Sequence, residues 1–312
     1  MRPFRMVDFS LALTLKACFN QRPKHHLKGV VMVSLKGKVA VVTGASRGVG
    51  KGVALGLGEA GATVYVTGRS IKDKTDVEKL GGTVFTTAKA VDAIGGKGIA
   101  IPCDHREDSQ VEELFKRVAK ENKRIDILVN NAWGGYEKMR EGRVLTYFKP
   151  FWEQPFWRWD AMFDAGVRAA YTSSALAARL MTKKKSGLIV NISFWSAQVY
   201  LGNTQYGVSK AAVDKMTEYM AHELKKYKVA VVSLYPGLVR TESILRNAKH
   251  FDMSNSESPE FIGRVIAALA SDPNILKKSG QVLVAAQEAL EYGIKDIDGK
   301  QPRPVTLEDF RK

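Results

Sequence analysis

Tyr206 and Lys210 are the two residues whose types and spacing could carry acid–base chemistry. They lie four positions apart among small, helix-tolerant residues, and on a helix this spacing puts both side chains on one face. A free phenol titrates near pH ~10, but a nearby ammonium favours the phenolate and lowers that pKa. Such a pair can protonate a developing alkoxide, or deprotonate an alcohol in the reverse direction. The same spacing is common in surface pairs that do no chemistry.

A glycine-rich turn near residue 44 predicts an anion site. Residues 38–43 (KVAVVT) form a short apolar, β-branched run that is typical of a buried strand. The turn GASRGVG follows over residues 44–50, and a helical pattern continues to about Gly58. Glycines let the backbone approach phosphate oxygens closely, and the N-terminus of the helix offers them free N–H groups. Strand, turn and helix in this order predict a dinucleotide pyrophosphate site.

Two arginines indicate which dinucleotide binds there. A site for NAD carries an Asp or Glu for the ribose 2′-hydroxyl, about 20 residues after the glycine turn. Here the second predicted strand, Thr63–Thr67, is followed by Arg69, and Arg47 lies within the glycine turn. Two cations without a carboxylate favour a 2′-phosphate, so the sequence predicts NADP(H) rather than NAD(H). The alternative is that both are ordinary surface arginines.

Strands and helices alternate along the body of the chain. The alternation predicts an α/β fold with a doubly wound parallel sheet of the Rossmann type, in a single domain. Ligands of such a sheet bind at the carboxyl ends of its strands, where Gly44, Arg69, Asp104 and Asn130-Asn131 fall. Residues 240–258 lack periodicity and predict a mobile lid. The other predicted helices are 84–94, one around 111–118, 156–181, 206–226 and 259–270, and the other strands are 98–102, 125–129, 188–192, 229–234 and 281–284.

Composition and charge limit the classes of protein. The chain has 312 residues, of which 45% are hydrophobic, and this is enough to bury a large core. Only Cys18 and Cys103 occur, and the five histidines show no metal-ligand spacing, so we expect neither a disulfide framework nor a metal. Most of the formal charge of +16 is scattered, so a solvated basic surface is expected rather than a nucleic-acid partner.

The two ends differ from the body of the chain, which we place at residues 36–294. Residues 1–35 form a basic extension that could be a targeting peptide, an anchor in peripheral contact with a membrane, or a disordered tail, with Met32 as an alternative start. No stretch approaches the length of a transmembrane helix. We expect an intracellular protein, cytoplasmic unless the extension directs it to the endoplasmic reticulum or mitochondria. Residues 295–312 form a polar tail that we predict to be extended.

These residues together resemble the short-chain dehydrogenase/reductase family. The motifs are Thr43-Gly44-x-x-x-Gly48-x-Gly50, Asn130-Asn131-Ala132, Tyr206-x-x-x-Lys210, and Pro236-Gly237 followed by Thr241, in the family's order over about residues 36–290. The resemblance implies that Tyr206 is the general acid, that Lys210 lowers its pKa and holds the nicotinamide ribose, and that a serine orients the substrate carbonyl. It also implies that Asp104 contacts the adenine ring and Asn131 the adenosine ribose region.

The resemblance implies a full cofactor site, a small-molecule carbonyl or alcohol substrate, and a homo-oligomer. The residues of that cofactor site are Gly44, Ser46, Arg47, Gly48, Val49, Gly50, Arg69, Asp104, Asn131, Tyr206, Lys210, Pro236, Gly237, Val239 and Thr241.

Two positions around the expected site depart from the family pattern. Trp133 follows Asn130-Asn131-Ala132 where the family has glycine, so a side chain lies beside the cofactor. Gly166 falls where the family often has an Asn that supports a proton-relay water, and Asp164 is two positions away. The departures imply a relay that runs differently or more slowly.

The position of the catalytic serine is open in the sequence. Ser193 lies thirteen residues before Tyr206, which is the usual family interval, whereas alignment by the preceding strand puts Phe194 in that position. We predict Ser193 as the serine that orients the carbonyl, with Ser196 as the alternative.

Residues 133–158 form an aromatic-rich insert after the fourth predicted strand. Its place at the carboxyl edge of the sheet suggests a pocket wall for a bulky apolar carbonyl compound, such as a steroid or an aromatic ketone. The alternative is that the rings pack the insert onto the body or form a subunit contact. With Trp159 just beyond, the aromatic residues are Trp133, Tyr136, Tyr147, Phe148, Phe151, Trp152, Phe156 and Trp157.

The sequence therefore predicts an NADPH-dependent oxidoreductase that reduces ketone or aldehyde carbonyls of bulky apolar substrates, of the steroid or xenobiotic type. The alternative is a catalytically weak NADP(H)-binding protein that acts as a sensor or scaffold. The altered relay position and the open choice of serine support that alternative, whereas the intact Tyr206 and Lys210 pair argues against it.

Overall fold

The computed structural model describes residues 33–73, 80–136, 139–141 and 144–310. Its central sheet is fully parallel, with the order β7-β6-β5-β4-β1-β2-β3 among the strands named at the end of this paragraph. The predicted doubly wound α/β sheet is thus confirmed. The strands are β1 (Val39–Val42), β2 (Thr63–Gly68), β3 (Lys97–Pro102), β4 (Ile127–Asn130), β5 (Gly187–Ile192), β6 (Val229–Tyr235) and β7 (Val282–Val284).

Helices cover both faces of the sheet, because alternate residues of each strand point to opposite sides. Ala40 and Val42 of β1 belong to one buried hydrophobic cluster, and Val39 and Val41 belong to another. The helices of the described residues are α1 (Gly48–Glu59), α2 (Val84–Ala93), α3 (Asp108–Asn122), α4 (Phe156–Met162), α5 (Ala169–Lys184), α6 (Thr204–Leu224), α7 (Glu242–Arg246), α8 (Pro259–Ser271) and α9 (Ala285–Tyr292).

Helix α3 buries the apolar side chains that helical spacing puts on one of its faces. They are Val111, Leu114, Phe115 and Val118. They belong to the cluster that contains Val39 and Val41.

One predicted helix is wrong in its interior. The sequence predicted a continuous helix over residues 156–181, but α4 and α5 are separated by a π-helical segment, Phe163–Arg168. Such segments widen a helix locally and often lie at functional sites. Here the widened turn contains Gly166, which packs directly against the indole of Trp133.

Two segments after β6 have more structure than the sequence predicted. Within 240–258, the predicted irregular lid, lie α7 and a strand, Ser256–Glu257, which pairs in parallel with Leu238–Val239. Helix α9 was not predicted, although its residues (AAQEALEY) are good helix formers.

The C-terminal segment is tied to the body of the protein. Asp296 is buried and accepts hydrogen bonds from Arg240 and Ser258. The predicted extended tail ends in a 3-10 turn, Leu307–Phe310, and the Phe310 ring lies 5.7 Å from that of Trp195.

At the other end, residues 1–32 of the predicted basic extension lie outside the described residues, and Leu35 is buried in the core. No helix in the described part of the chain is both long and apolar enough to cross a bilayer. The strand order reverses between β1 and β4, and this creates a crevice at their carboxyl ends.

Candidate active site

The Tyr206–Lys210 pair lies in the first two turns of α6, where the helix start is fixed by a cap. Asn203 accepts a hydrogen bond from the Tyr206 N–H at 2.9 Å, and its amide donates to the Tyr147 carbonyl at 2.7 Å. One side chain therefore fixes both the start of α6 and its distance from the aromatic insert. Tyr206 and Lys210 are both buried.

The Lys210 ammonium is enclosed by protein groups. It donates to the Ile192 carbonyl at 3.1 Å, and its nitrogen lies 4.2 Å from the ring centroid of Trp133 and 5.9 Å from that of Tyr206. Burial lowers the pKa of Lys210 to about 8, against an opposing effect of Asp214 one turn along α6. The ammonium is therefore the dominant form at neutral pH and is lost as the pH rises through about 8.

The phenol of Tyr206 does not show the lowered pKa that the sequence predicted. Burial raises the pKa of Tyr206 well above its ordinary value, and the neighbouring Tyr136 and Tyr147 add to this effect. The Tyr136 hydroxyl donates to the Tyr206 hydroxyl at 3.3 Å. Desolvation of the phenolate thus outweighs any help from the Lys210 ammonium, and the phenol stays protonated at neutral pH.

The structure gives the two candidate serines different surroundings. Ser193 follows β5, donates to the Lys210 carbonyl at 3.4 Å, and interacts with Asp214 and Tyr235. Ser196 is also buried, and its interaction with the Tyr206 phenol works to lower the pKa of that phenol. Its oxygen has no partner at ordinary hydrogen-bond distance among the described residues. Ser196 thus affects the Tyr206 phenol electrostatically, whereas the interactions of Ser193 are with the Lys210 carbonyl, Asp214 and Tyr235.

The glycine turn is built for a close approach of backbone groups. A Cβ on Gly50 would lie 2.3 Å from the Gly44 carbonyl oxygen, so no larger residue fits there. Asn131 holds the turn to β4, because its amide donates to the carbonyls of Thr43 and Gly44, both at 3.0 Å. In this geometry Asn131 shapes the cradle from behind. The ribose contact implied by the resemblance does not follow from these hydrogen bonds.

A carboxylate shows that the start of α1 accepts an anion. The Gly48 N–H donates to the Glu242 carboxylate at 2.9 Å, and α7 presents that side chain across the turn. Free N–H groups and the helix dipole favour negative charge at this point. The residues therefore fit a pyrophosphate. Glu242 was not among the predicted site residues, although it directly follows Thr241 of the resembling motif.

The two predicted arginines converge at the carboxyl ends of β2 and β3. Arg47 donates to the carbonyls of Gly81 and Gly82, at 2.7 and 3.3 Å, and to the Ser70 hydroxyl at 3.0 Å. Arg69 lies 4.0 Å from Asp104.

The charges around Arg69 affect its guanidinium group. Burial lowers the pKa of Arg69, Asp104 opposes the shift, and the positive charges of Arg106 and Arg47 add to it. Asp104 itself accepts from Arg106 at 2.6 Å. An added phosphate would relieve the repulsion between these guanidinium groups.

The remaining predicted cofactor residues line the turns beside the cradle. Gly237 donates its N–H to buried Glu257 at 2.8 Å, and burial raises the pKa of that carboxyl to about 7. The sequence did not single out Glu257, because it lies far along the chain from the turn that it fixes. Of the others, Thr241 caps α7, Val239 and Ser46 are buried, Val49 lies in the first turn of α1, and Pro236 directly precedes Gly237.

The aromatic insert divides into an inner and an outer group. Trp133, Tyr136 and Tyr147 lie next to Tyr206, with ring centroids of the first two 5.6 and 6.2 Å from the Tyr206 ring. These rings are placed where they can form a pocket wall, which is one of the two predictions for the insert. Most of the outer group is exposed, namely Phe148, Phe151, Trp152, Phe156 and Trp159.

A buried cation holds the insert together. Arg158 is fully buried and donates to the carbonyl and hydroxyl of Thr146 and to the Gln154 side chain. Its guanidinium also lies 5.0 Å from the Trp157 ring centroid and 5.7 Å from that of Tyr147. In this part of the insert the aromatic rings therefore serve packing, as the alternative prediction stated.

Metal chemistry has no candidate group in the described residues, where no three His, Cys, Asp or Glu side chains gather in a way that could hold an ion. Cys103 is buried, and burial raises its pKa to about 12, so it is a poor nucleophile.

Comparison with known proteins identifies the family of the chain. A family model described as short chain dehydrogenase matches residues 38–250. Dehydrogenase/reductase SDR family member 1 of Mus musculus is 42% identical over 289 residues, which cover 88% of this chain and 87% of that protein.

Solved structures share the fold. A putative dehydrogenase from Xanthomonas campestris matches with a TM-score of 0.72 and 26% identity, over 85% of this chain and 93% of that one. A 7α-hydroxysteroid dehydrogenase, solved with NADH and 7-oxo glycochenodeoxycholic acid, matches with a TM-score of 0.66 and 26% identity, over 81% and 94% of the two chains. The chain therefore belongs to the short-chain dehydrogenase/reductase family of nicotinamide-dependent oxidoreductases.

Proposed function

We propose that this protein is an NADPH-dependent oxidoreductase that reduces ketone or aldehyde carbonyls of bulky apolar compounds, of the steroid or xenobiotic type, with Tyr206 as the proton donor. The observation that carries the proposal is the buried pair of Tyr206 and Lys210 beside an anion-binding glycine turn. A carbonyl oxygen that gains negative charge needs a proton donor and a nearby cation, and this pair supplies both.

In the proposed complex, the cradle of residues 44–50 holds the pyrophosphate, and Lys210 holds the nicotinamide ribose. The nicotinamide, when bound, supplies a hydride to the carbonyl carbon. Asp104 lies between Arg69 and Arg106 at the adenosine end. Asn131 contributes indirectly, because its amide already fixes the glycine turn.

Arg47 and Arg69 support NADPH as the preferred cofactor. Burial lowers the pKa of Arg69, and the positive charge of Arg47 adds to that effect. A 2′-phosphate between the two guanidinium groups would be bound by charge-assisted hydrogen bonds. The relative solved with NADH shows that the family also uses the unphosphorylated cofactor. The preference therefore depends on these two residues.

The proton in this proposal comes from Tyr206. The phenol is protonated at neutral pH, so it can donate a proton to a developing alkoxide. Ser196 is the better candidate for orienting the carbonyl, because its buried hydroxyl is next to the phenol, whereas Ser193 interacts with Asp214 and Tyr235. We therefore assign the carbonyl contact to Ser196 and a structural role to Ser193.

The aromatic walls support a bulky apolar substrate. Trp133, Tyr136 and Tyr147 surround the proton donor with ring faces and edges, which favour apolar rather than charged ligands. One solved relative was crystallised with an oxidised bile acid, which is a steroid ketone. A steroid or aromatic ketone is therefore the first class to test.

The alternative, a catalytically weak sensor or scaffold, depended on the open serine and relay positions. Ser196 is available as the serine that orients the carbonyl, and the indole of Trp133 fills the space at the relay position, Gly166. No contact in the described part of the chain favours that alternative. Homo-oligomerisation, peripheral membrane contact and the intracellular compartment stay predictions from the sequence.

Turnover with a deuterated cofactor tests the proposal. We expect native protein and NADPH deuterated at the nicotinamide C4 to give deuterated alcohols from steroid ketones and aromatic ketones, as detected by mass spectrometry. Small charged keto acids should be poor substrates and provide the contrast. No deuterated product from any ketone or aldehyde, with NADPH binding intact, would favour the sensor or scaffold.

A further inference from the structure

The indole of Trp133 lies beside both residues of the proposed acid–base pair. Its ring centroid is 4.2 Å from the Lys210 ammonium and 5.6 Å from the centroid of the Tyr206 ring, with an interplanar angle of 65° to that ring. A cation 4.2 Å from an indole centroid is within the range of a cation–π interaction. Trp133 thus contacts both groups at once.

Two glycines form a slot for this indole. A Cβ on Gly166 would lie 2.5 Å from Cζ3 of Trp133, and one on Gly135 would lie 2.7 Å from Cε2. Both distances are too short for real side chains. The π-helical segment Phe163–Arg168 brings Gly166 to one edge of the ring, and the turn after Trp133 brings Gly135 to another.

The indole contributes its face rather than its N–H. Trp133 Nε1 is buried and donates to no partner within the described residues. A buried N–H without a partner is unfavourable, so other interactions have to hold the ring in place. The contact with Lys210 and the fit to the two glycines are such interactions.

We propose that Trp133 is a positioning residue that holds the Lys210 ammonium in place beside Tyr206, and that Gly166 is the complement that its ring requires. The two departures from the family motifs are in contact, so they form one compensated pair of changes. This inference rests on the proposed function for its catalytic consequence, but the placement of Lys210 can be measured without turnover.

The charge state of Lys210 depends on everything that faces it. Asp214 on α6 favours the ammonium, the Ile192 carbonyl accepts from it, and the neutral phenol of Tyr206 lies nearby. Next to these groups is a cavity of about 10 Å³, which has room for about one water molecule and is lined in part by Lys210, Trp133, Gly166, Asn130 and Asn191. The indole face therefore provides much of the favourable environment of a nearly dry cation.

Replacing the ring face tests the proposal. We expect Trp133→Leu to lower kcat for carbonyl reduction about 30-fold or more, with the affinity for NADPH within about threefold of native. Trp133→Phe retains an aromatic face and should lose only about threefold to fivefold. The matched control is Trp152→Leu, because Trp152 is exposed and outside the slot, and this variant should behave as native.

The slot itself is tested by a double-mutant cycle. Gly166→Ala should reduce kcat strongly, because the new methyl group displaces the indole. In the Trp133→Phe background the same change should cost much less, since the smaller ring leaves room for the methyl group. Equal losses in both backgrounds would contradict the proposed complementarity.

A direct measurement of Lys210 separates this inference from the proposed function. The pH titration of its ¹³Cε NMR resonance, assigned by comparison with Lys210→Arg, should give a lower pKa in Trp133→Leu than in native protein, by about one pH unit. An unchanged pKa would overturn the positioning role. A raised pKa would also overturn it, because the ring would then serve to exclude water. A lowered pKa in a protein without carbonyl reductase activity would support the positioning role and refute the function.

Discussion

The proposed cofactor side and substrate side of the Tyr206–Lys210 pair consist of different kinds of chemical groups. The cofactor side consists of strand ends and backbone N–H groups, which short polar side chains such as Thr43 and Asn131 fasten together. The substrate side consists of aromatic rings that come from the insert and pack around Tyr206. The first can bind phosphate through main-chain dipoles, and the second can shape an apolar pocket and control the charge state of buried groups.

This difference predicts how the two sides respond to substitution. A cradle of backbone groups is changed mainly through the charges around it, so its variants should alter cofactor affinity and preference. A wall of side chains is changed by every substitution in it, so its variants should alter kcat and its pH dependence. The predictions below test this division, beginning with the largest effect.

Charge reversal on the cofactor side should change preference and not chemistry. We expect native protein to bind NADPH far better than NADH, and Arg69→Glu to reduce that ratio about 100-fold, because it replaces a phosphate-binding cation by a repelling anion. Equilibrium fluorescence titration with both cofactors measures the ratio. Arg117→Gln, which removes an exposed arginine on α3, is the control and should leave the ratio unchanged. Equal affinities in the native protein would contradict the NADPH assignment.

On the substrate side, the two serines should separate. Ser196→Ala removes the hydroxyl next to the phenol and should reduce kcat/KM for a ketone about 30-fold. Ser193→Ala should reduce it less than about threefold and instead lower Tm, because the interactions of Ser193 with Asp214 and Tyr235 are structural. Steady-state kinetics and thermal unfolding of both variants check this. The reverse ranking would restore Ser193 as the residue that orients the carbonyl.

The pH profile should report Lys210 rather than Tyr206. The pKa of Lys210 is lowered to about 8, so its ammonium is present below that pH and is lost as the pH rises. We therefore expect kcat/KM to fall about fivefold between pH 8 and pH 9, whereas the phenol stays protonated over this range. A profile that stays flat to pH 10 would show that the charge on Lys210 is not needed.

The smallest effect is expected at Glu242, on the cofactor side. Its carboxylate accepts from the Gly48 N–H at the position where a phosphate would bind, so the two anions compete. Glu242→Gln should tighten NADPH binding about threefold to fivefold at low ionic strength, and less at high salt. Glu260→Gln, in the first turn of α8, serves as the control. Weaker binding in Glu242→Gln would mean that the carboxylate supports the cradle.

The cofactor side was predictable from sequence because its signals are local. A β-branched run, a glycine turn and a helix follow one another within about twenty residues around Gly44–Gly50, and each leaves its own pattern. The doubly wound, parallel arrangement of the sheet followed from the alternation of strands and helices. The sequence analysis did not single out Glu242 or Glu257. Each is distant in sequence from the turn that it fixes, and neither lies in a motif of its own.

The substrate side was less predictable because it depends on contacts between distant segments. Nothing in the run of apolar residues over 156–181 revealed the π-helical segment, in which Gly166 lies against the indole of Trp133. The raised pKa of Tyr206 was missed for the same reason. The spacing of Tyr206 and Lys210 indicates a cation nearby, but not the burial that the aromatic insert imposes.

The most direct test of the account is the comparison of native protein with Tyr206→Phe, in turnover and in cofactor binding. If Tyr206 delivers the proton to a carbonyl reduced with NADPH, the variant should lose about 1,000-fold or more in kcat. Its dissociation constant for NADPH should stay within about threefold of native. A variant that keeps its turnover, or loses turnover only because it no longer binds NADPH, would contradict the central claim.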